Sequence, residues 1–317
     1  MKKTVVTGGA GFIGSHLTEE LAGNGHHVIV LDDLSTGRIQ NIELLLREGS
    51  AEFVEGSITD LSLLGRIFQG TDYVFHQAAI PSVPRSVENP LPTHEANITG
   101  TLNVLLAARD NGVKKVVYAS SSSVYGQTPT LPREEGMQPQ PESPYAVTKT
   151  SAEYYCHVFH TIYGLPTVCL RYFNVYGPRQ DPLSQYAAVV PRFITRISRG
   201  QPPVICGDGE QTRDFTFIKD AVQANIIAAE SDAAGVFNVG RGDRVSINQL
   251  ARLTARLIGQ DIEPIHEAPR PGDVRHSLAD VSRLGAFGYE PGYSLEEGLR
   301  ETIASLRHET RPGVRTH

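Results

Sequence analysis

The chain has 317 residues, of which 40% are hydrophobic and 20% are charged, and its formal net charge is −6. This length predicts roughly two domains of ~150 residues each, and the composition is typical of a soluble globular protein rather than a disordered one. No apolar run approaches the ~20 residues of a membrane span, and no basic block indicates a nucleic-acid partner.

Short apolar segments alternate with helical patterns in the first half of the chain, which predicts βαβ units on a parallel sheet. In chain order we predict a strand at Lys3–Thr7, a helix at Gly11–Asn24, a strand at His27–Leu31, a helix at Asp60–Gln69, a strand at Asp72–His76, a helix at about His94–Asn111, a strand at Lys114–Ser120, a helix at about Pro144–Tyr163 and a strand near Thr167–Phe173. These are five strands of a sheet for which we expect six.

From about Val175 onward the pattern changes to longer loops that contain prolines, with helices predicted near Gln185–Arg199, Ile218–Ser231 and Ile247–Ile258. We therefore predict an α/β protein with a large dinucleotide-type domain over residues 1–174. Part of 215–240 is expected to return to that domain. A smaller α/β domain is predicted over 175–310 and a disordered tail over 311–317.

A glycine-rich turn joins the first predicted strand to the first helix and contains Gly8, Gly11 and Gly14. Glycine allows a tight turn and close backbone approach, and the N–H groups of a helix N-terminus attract a pyrophosphate. Asp32 ends the second strand about 18 residues after Gly14, where its carboxylate accepts hydrogen bonds from ribose hydroxyls. These features favour NAD over NADP as the cofactor.

A tyrosine and a lysine, Tyr145 and Lys149, lie four residues apart on one face of a predicted helix. The serine run Ser120–Ser123 lies at the carboxyl end of a predicted strand, the edge where open α/β sheets bind ligands. An unperturbed tyrosine titrates near ~10, and a neighbouring cation favours its phenolate. We therefore predict that Tyr145 takes the proton of a substrate hydroxyl held by a serine, while hydride leaves for a nicotinamide.

The G-x-x-G-x-x-G spacing of the glycine turn resembles that of the extended short-chain dehydrogenase/reductase family, over nearly the whole chain. The resemblance implies a Rossmann domain that binds NAD and a smaller C-terminal domain that binds a nucleotide-sugar. It assigns catalysis to Ser121, Tyr145 and Lys149. The cofactor-binding positions that it implies are Gly8, Gly11, Phe12, Ile13, Gly14, Asp32, Ser35, Thr36, Gly37, Ser57, Ile58, Gln77, Ala78, Ala79, Asn97, Tyr145, Lys149 and Tyr172. At Ser57 the family usually has an aspartate that contacts adenine.

Three segments, around Asn174, Arg213 and Arg270, resemble those with which the family holds a nucleotide diphosphate. Guanidinium groups suit this task because their fork geometry matches phosphate oxygens. The substrate-binding positions that the resemblance implies are Ser82, Val83, Arg85, Ser122, Ser123, Asn174, Val190, Arg213, Arg270, Asp273 and Ser277.

Two positions of the serine run indicate the reaction. Sugar-nucleotide 4,6-dehydratases carry Asp-Glu where this chain has Ser122 and Ser123, and UDP-glucuronate decarboxylases tend to carry an acid at the Ser123 position. Neither acid is present, so epimerisation is the most natural reaction.

The substrate-side motifs are closest to the UDP-N-acetylglucosamine 4-epimerase branch. UDP-glucose-restricted relatives have a bulky tyrosine at the Ser277 position, and a serine leaves room for an N-acetyl group. A UDP-glucose or UDP-glucuronate 4-epimerase is the near alternative, and a noncatalytic NAD-sensing protein is a remote one.

The partner predictions are a UDP-sugar substrate, no membrane and no nucleic acid. The eleven histidines and three cysteines show no ligand spacing, so we expect no metal and no disulfide framework. The N-terminus lacks the apolar segment of a signal peptide, which favours the cytoplasm. In the family, two helices such as those at His94–Asn111 and Pro144–Tyr163 form a homodimer interface. Simple packing on the sheet is the alternative for the residues that these helices carry, which include Ile98, Leu102, Leu105, Tyr154, His157 and Val158.

Overall fold

The computed structural model describes residues 1–182, 188–269 and 274–309, with side chains described up to residue 306. Its strands in chain order are β1 (Lys3–Thr7), β2 (His27–Asp32), β3 (Ala51–Glu55), β4 (Tyr73–His76), β5 (Lys115–Ser121), β6 (Thr167–Tyr172), β7 (Val204–Cys206), β8 (Thr212–Arg213), β9 (Gly235–Val239), β10 (Val245–Ser246) and β11 (Ile265–Glu267). Seven of them form one parallel sheet in the order β3-β2-β1-β4-β5-β6-β9.

Helices cover both faces of this sheet. They are α1 (Phe12–Gly23), α2 (Glu43–Arg47), α3 (Leu61–Ile67), α4 (Val83–Glu88), α5 (Pro90–His94), α6 (Gly100–Asp110), α7 (Pro144–Tyr163), α8 (Val189–Ser198), α9 (Ile218–Glu230), α10 (Ile247–Ile258), α11 (Ser282–Gly285) and α12 (Leu295–Glu309). No helix in this part of the chain has the length and apolar character of a transmembrane segment.

Alternating strand residues build two separate cores, one on each face of the sheet. Val6 and Val117 belong to the cluster that includes residues of α1 and α9, whereas their neighbours Val5 and Val116 belong to the cluster with residues of α3, α6 and α7. Successive side chains of a strand point to opposite faces, so a strand buried on both sides is apolar throughout. The predicted Rossmann-type α/β fold is confirmed.

The sheet has seven strands, whereas six were expected and five were placed in the sequence. Strand β3 was not predicted because its five residues include two glutamates and only Ala51 is fully buried, so its sequence lacks a continuous apolar run. Strand β9 lies beside β6, although it is more than sixty residues away in the chain. A parallel neighbour that distant leaves no local pattern.

One predicted helix is interrupted in the structure. The helix expected at His94–Asn111 begins earlier, with α5, and passes through a π-helical turn at Glu95–Thr99 before continuing as α6. The turn contains the buried side chain of Asn97, and such bulges often occur at functional sites. By contrast, α7 spans the predicted residues Pro144–Tyr163, capped by the Ser143 hydroxyl and ended by the left-handed Gly164.

The buried carboxylate of Asp214 joins the small strands of the second half of the chain. It is fully buried and accepts hydrogen bonds from the backbone N–H groups of Arg241 (2.8 Å), Gly242 (3.1 Å) and Ala279 (3.1 Å). These contacts bring the loops after β9 and before α11 against β8, the strand that carries Arg213. The division into domains near residue 175 stays a prediction.

Candidate active site

The sheet order reverses beside β1, where β2 and β4 lie on either side of it. In an open α/β sheet, ligands bind at such a switch point, in the crevice at the carboxyl ends of the strands. The glycine turn, Asp32, Gln77, Ser121 and Tyr172 all come from strand ends at this edge. The structure therefore brings the predicted cofactor and catalytic positions to one side of the sheet.

The glycine turn is too closely packed for any other residue at two positions. Gly8 has φ +71°, and a Cβ there would lie 2.6 Å from the Ala78 nitrogen; a Cβ on Gly14 would lie 2.1 Å from the Gly8 carbonyl oxygen. The turn closes through a 3.1 Å hydrogen bond from the Gly11 N–H to the Gly8 oxygen. The first residues of α1, Phe12 and Ile13, follow directly, so free N–H groups face the crevice as a pyrophosphate site requires.

Asp32 links the glycine turn to the loop after β2. Its carboxylate accepts hydrogen bonds from the backbone N–H groups of Ala10 (3.0 Å) and Leu34 (2.9 Å), and a Cβ on Gly37 would lie 2.7 Å from it. Burial raises the pKa of the Asp32 carboxyl group, and the two N–H donors oppose that shift. Each oxygen retains a lone pair, so the carboxylate can also accept from ribose hydroxyls.

The other predicted adenosine contacts flank this loop. Ser35 and Thr36 are exposed, and the Ser35 hydroxyl donates to Asp33. The Ser57 hydroxyl contacts Thr59 (2.9 Å). The Ile58 side chain is 6% exposed, and its Cδ1 would lie 2.5 Å from a Cβ on Gly100. Ile58 is therefore packed against α6 as well as lying near the loop.

A buried polar cluster lies at the ends of β4 and β6. Gln77 donates to Asn225 of α9 (3.0 Å), and Asn225 donates to the Tyr172 hydroxyl (2.7 Å). Ala78 and Ala79 follow Gln77 in the chain, and the backbone of Ala78 packs against Gly8 of the glycine turn. Asn225 was not among the predicted site residues, because a single asparagine in an alanine-rich helix belongs to no recognisable motif.

The three predicted catalytic residues lie together. Ser121 ends β5, and its hydroxyl forms a hydrogen bond with the Tyr145 phenol. The Lys149 ammonium donates to the Ala119 carbonyl oxygen (2.7 Å) and lies 5.8 Å from the centre of the Tyr145 ring. Lys149 is only 3% exposed, so this cation is held inside the protein next to the phenol.

Burial controls the proton affinity of this pair. It raises the pKa of Tyr145 to about 12, and the Ser121 hydrogen bond opposes the change. Burial lowers the pKa of Lys149 to about 8, with Glu153 acting in the opposite direction. Burial, with a contribution from Lys149, also lowers the pKa of His76 to about 3, so His76 is neutral. It bridges Thr7 and Thr101, which agrees with a structural rather than an acid–base role.

Two polar contacts hold α7 in position at its N-terminal end. Asn97 accepts from the Ile80 N–H (2.8 Å) and donates to the Thr148 hydroxyl (3.1 Å). Ser86 of α4 accepts from the Tyr145 N–H (3.1 Å). Asn97, a predicted cofactor residue, thus ties the loop after β4 to the catalytic helix. Ser86 was not among the predicted site residues.

The residues predicted to contact the sugar lie on two segments, the start of α4 and the turn after β5. Ser82 caps α4, where its hydroxyl accepts from the Arg85 N–H (3.2 Å), and Val83 is 41% exposed. Ser122 and Ser123 form a short 3₁₀ turn after Ser121. The Ser123 hydroxyl is buried and has no hydrogen-bond partner in the described part of the chain.

The diphosphate side is built on a small β-ribbon. Val245 pairs with Arg213, and Thr212 bridges to His276. Because side chains alternate along strands, Ser277 and Arg213 share one face of the ribbon while His276 and Thr212 share the other. Asn174 reaches this region by donating to the Asp214 carbonyl oxygen (2.9 Å), and Val190 is buried in α8. Arg270 and Asp273 lie outside the described residues.

A buried ion pair behind the catalytic residues was not predicted. Glu153 and Arg171 are 5% and 3% exposed, and they form two hydrogen bonds, Nε to Oε1 (2.9 Å) and Nη2 to Oε2 (2.7 Å). No motif signals this pair, because an acid four residues after Lys149 resembles an ordinary solvent-exposed helix pair. Within the described residues, no cluster of metal-ligating side chains occurs.

Comparison with known proteins identifies related sequences over almost the full chain. A family model described as the NAD dependent epimerase/dehydratase family matches residues 4–240. The chain is 44% identical to a UDP-N-acetylglucosamine 4-epimerase from Methanobrevibacter ruminantium M1, solved in complex with UDP-N-acetylmuramic acid, with a TM-score of 0.94. That match covers 97% of this chain and 99% of the other.

Two further structures are similar. A UDP-glucose 4-epimerase from Thermotoga maritima, solved with UDP-glucose, is 42% identical over 98% of this chain and 100% of the other, with a TM-score of 0.93. A UDP-glucuronic acid 4-epimerase from Bacillus cereus, solved with UDP-glucuronic acid and NAD, is 34% identical over 97% of this chain and 99% of the other, with a TM-score of 0.90. These relatives share a reaction and differ in the sugar.

The tight packing of the glycine turn predicts the effect of a single methyl group. Gly14→Ala should weaken NAD binding about ten- to a hundredfold, because the Cβ displaces the Gly8 carbonyl and overpacking costs about 1–3 kcal/mol. Gly23→Ala in the same helix is the matched control, since a Cβ there meets nothing within 4 Å. Calorimetric titration with NAD measures both, and equal affinities for the two variants would contradict the assignment of the turn.

Proposed function

The chain belongs to the NAD-dependent epimerase/dehydratase family and is an NAD-dependent UDP-sugar 4-epimerase, and we propose that it interconverts UDP-N-acetylglucosamine and UDP-N-acetylgalactosamine. The reaction inverts C4 through a transient 4-keto sugar. The observation that carries the choice of sugar is Ser277, a small residue on the ribbon face that also bears Arg213. The 44% identity to a UDP-N-acetylglucosamine 4-epimerase supports the same choice.

The glycine turn and Asp32 fit the cofactor. Gly8 and Gly14 leave no room for side chains, so the pyrophosphate can approach the backbone, and the Asp32 carboxylate suits the hydroxyls of an unphosphorylated ribose. When bound, NAD supplies the hydride acceptor that removes hydrogen from C4 and returns it to the opposite face of the sugar.

This chain's own side chains handle the proton. Tyr145 is the acid–base residue at the C4 hydroxyl, and Ser121, in hydrogen-bond contact with it, orients that hydroxyl. Lys149 lies beside the phenol ring and stabilises the phenolate, which a phenol with a pKa of about 12 otherwise disfavours at neutral pH. Buried surroundings exclude water and strengthen these electrostatic contacts.

UDP-glucose is the second candidate substrate. A serine at position 277 admits a hydroxyl as readily as an N-acetyl group at C2, and a hydrophobic or small pocket discriminates poorly against a smaller substituent. The 42% identity to a UDP-glucose 4-epimerase favours this candidate as well. UDP-glucuronate is the remaining alternative. The intact Tyr145–Lys149 pair argues against a noncatalytic NAD-sensing protein.

We also propose that two copies associate through α5 and α7. Apolar side chains on these helices and on α4 are exposed: Val87 by 63%, Leu91 by 75%, Tyr154 by 59% and Ile162 by 70%. Leu105 was also expected in this interface, but its side chain is fully buried in the core. This residue of α6 therefore packs on the sheet and not against a second copy. An apolar surface of this kind is typical of a protein interface.

The proposed reaction predicts the outcome of a direct assay. Purified protein given UDP-N-acetylglucosamine should form UDP-N-acetylgalactosamine, as resolved by chromatography. Tyr145→Phe should lower kcat by about 10²–10⁴-fold because the general acid–base group is lost. Turnover should also fall as pH rises above about 8, since Lys149 then loses its charge. Product formation at the wild-type rate by Tyr145→Phe would refute the assignment.

Enlarging residue 277 should separate the two candidate sugars. Ser277→Tyr should reduce kcat/KM for UDP-N-acetylglucosamine about 10- to 200-fold, because the phenol ring occupies the space of the N-acetyl group. The kcat/KM for UDP-glucose in the same variant is the internal control and should stay close to the wild-type value. An equal loss for both sugars would contradict a specific role for Ser277.

The proposed association predicts a dimer in solution. Light scattering after size exclusion should give twice the chain mass of 34.5 kDa. Leu91→Glu together with Ile162→Glu should halve that mass, because dimerisation would then bury two unpaired carboxylates in an apolar interface. Leu44 of α2 is 57% exposed and lies outside the proposed interface. Leu44→Glu is therefore the control and should leave the dimer intact. A monomeric wild type would contradict the proposal.

A further inference from the structure

Glu153 is a buried acid one helical turn beyond Lys149 on α7. The proposed reaction assigns no task to Glu153, yet its side chain is only 5% exposed. Residues at i and i+4 are neighbours on a helix face, so Tyr145, Lys149 and Glu153 form one line along α7. An ionised carboxylate in such a position is costly unless it is paired and hydrogen-bonded.

Three hydrogen bonds fix the Glu153 carboxylate. Arg171 of β6 donates to both of its oxygens, at 2.9 and 2.7 Å. The Ser120 hydroxyl of β5 donates to Oε1 at 2.5 Å. The Arg171 guanidinium in turn lies 4.7 Å from the centre of the Tyr125 ring. This arrangement joins the catalytic helix to the two strands that carry the serine run and the substrate segment.

The contact with Ser120 also determines which serine faces the substrate. The Ser120 hydroxyl is engaged by Glu153, whereas Ser121, one residue further along at the end of β5, contacts the Tyr145 phenol. Ser120 and Ser121 are chemically identical, and the sequence alone does not distinguish their orientations.

We infer that Glu153 is a positioning residue of the active site: anchored by Arg171, it holds Ser120 away from the substrate and keeps the Lys149 ammonium in its charged form. This inference deepens the proposed function and rests on it for the catalytic role of Lys149.

The groups around Lys149 support an electrostatic role for Glu153. Tyr145, Glu153 and Cys156 lie on α7, Tyr118 and His76 face the ammonium from β5 and β4, and Cys169 from β6. His76 is neutral, so it adds no positive charge that would repel the ammonium group. Burial lowers the pKa of Lys149, and Glu153 is the largest effect that raises it.

The test titrates Lys149 directly and needs no substrate. In protein labelled with ¹³C at lysine Cε, the Lys149 resonance is assigned by its loss in Lys149→Arg and followed against pH. Glu153→Gln should lower the Lys149 midpoint by about one unit, because an opposite charge nearby is removed. Glu153→Asp keeps the charge and should restore most of the shift. Glu301→Gln, which removes an exposed acid paired with Lys219, should leave the midpoint unchanged.

A folded Glu153→Gln protein with an unmoved Lys149 midpoint would overturn the inference. If that variant does not fold because Arg171 is left unpaired, Glu153→Gln with Arg171→Met removes both charges, and a smaller fall in the midpoint is expected because the two charges act on Lys149 in opposite directions. An unmoved midpoint in the double variant would equally overturn it.

In a substrate assay, the loss of turnover at high pH should move to lower pH together with the Lys149 midpoint. Failure of the wild type to epimerise any UDP-sugar would instead reject the proposed function and leave the titration result standing.

Discussion

An ammonium group held almost entirely out of water is the constraint on which this site depends. Lys149 is 3% exposed and donates to the carbonyl of Ala119. A buried cation tends to lose its proton, and burial lowers the Lys149 pKa to about 8. The surrounding structure limits this tendency through Glu153, whose carboxylate is itself stabilised by Arg171 and Ser120. The Tyr145 phenol, the proposed acid–base group, therefore depends on a chain of charges that runs from β6 through α7.

The fold holds this chain of charges at the edge of the sheet where a ligand enters. Strands β5 and β6 pair residue by residue up to Ser121 and Tyr172, so Ser120 and Arg171 lie side by side beneath α7. Asn97 and Ser86 hold the other end of the helix against the loops after β4. The loop after β4 therefore packs against the glycine turn at Ala78 and is tied to α7 through Asn97.

Two parts of the site were predicted from residues close together in the sequence: the glycine turn and the Tyr145–Lys149 pair. The structure brings both to the predicted edge of the sheet. Glu153, Arg171 and Asn225 escaped prediction because their function lies in pairing across elements distant in the chain. Strand β9 was not placed as a strand, although part of 215–240 was expected to return to the first domain, because it pairs with a strand remote in the chain. The π-helical turn was missed because it is an irregularity around one buried asparagine. Arg270 and Asp273 remain predictions.

The central claim is that a single carbon, C4, is oxidised and reduced within one closed site. The most direct measurement uses UDP-N-acetylglucosamine carrying deuterium at C4, in ordinary water, with the product examined by NMR and mass spectrometry. The account predicts that UDP-N-acetylgalactosamine keeps the deuterium at C4, because the same hydrogen leaves and returns without contact with solvent. Solvent hydrogen at C4, or inversion at another carbon, would contradict it.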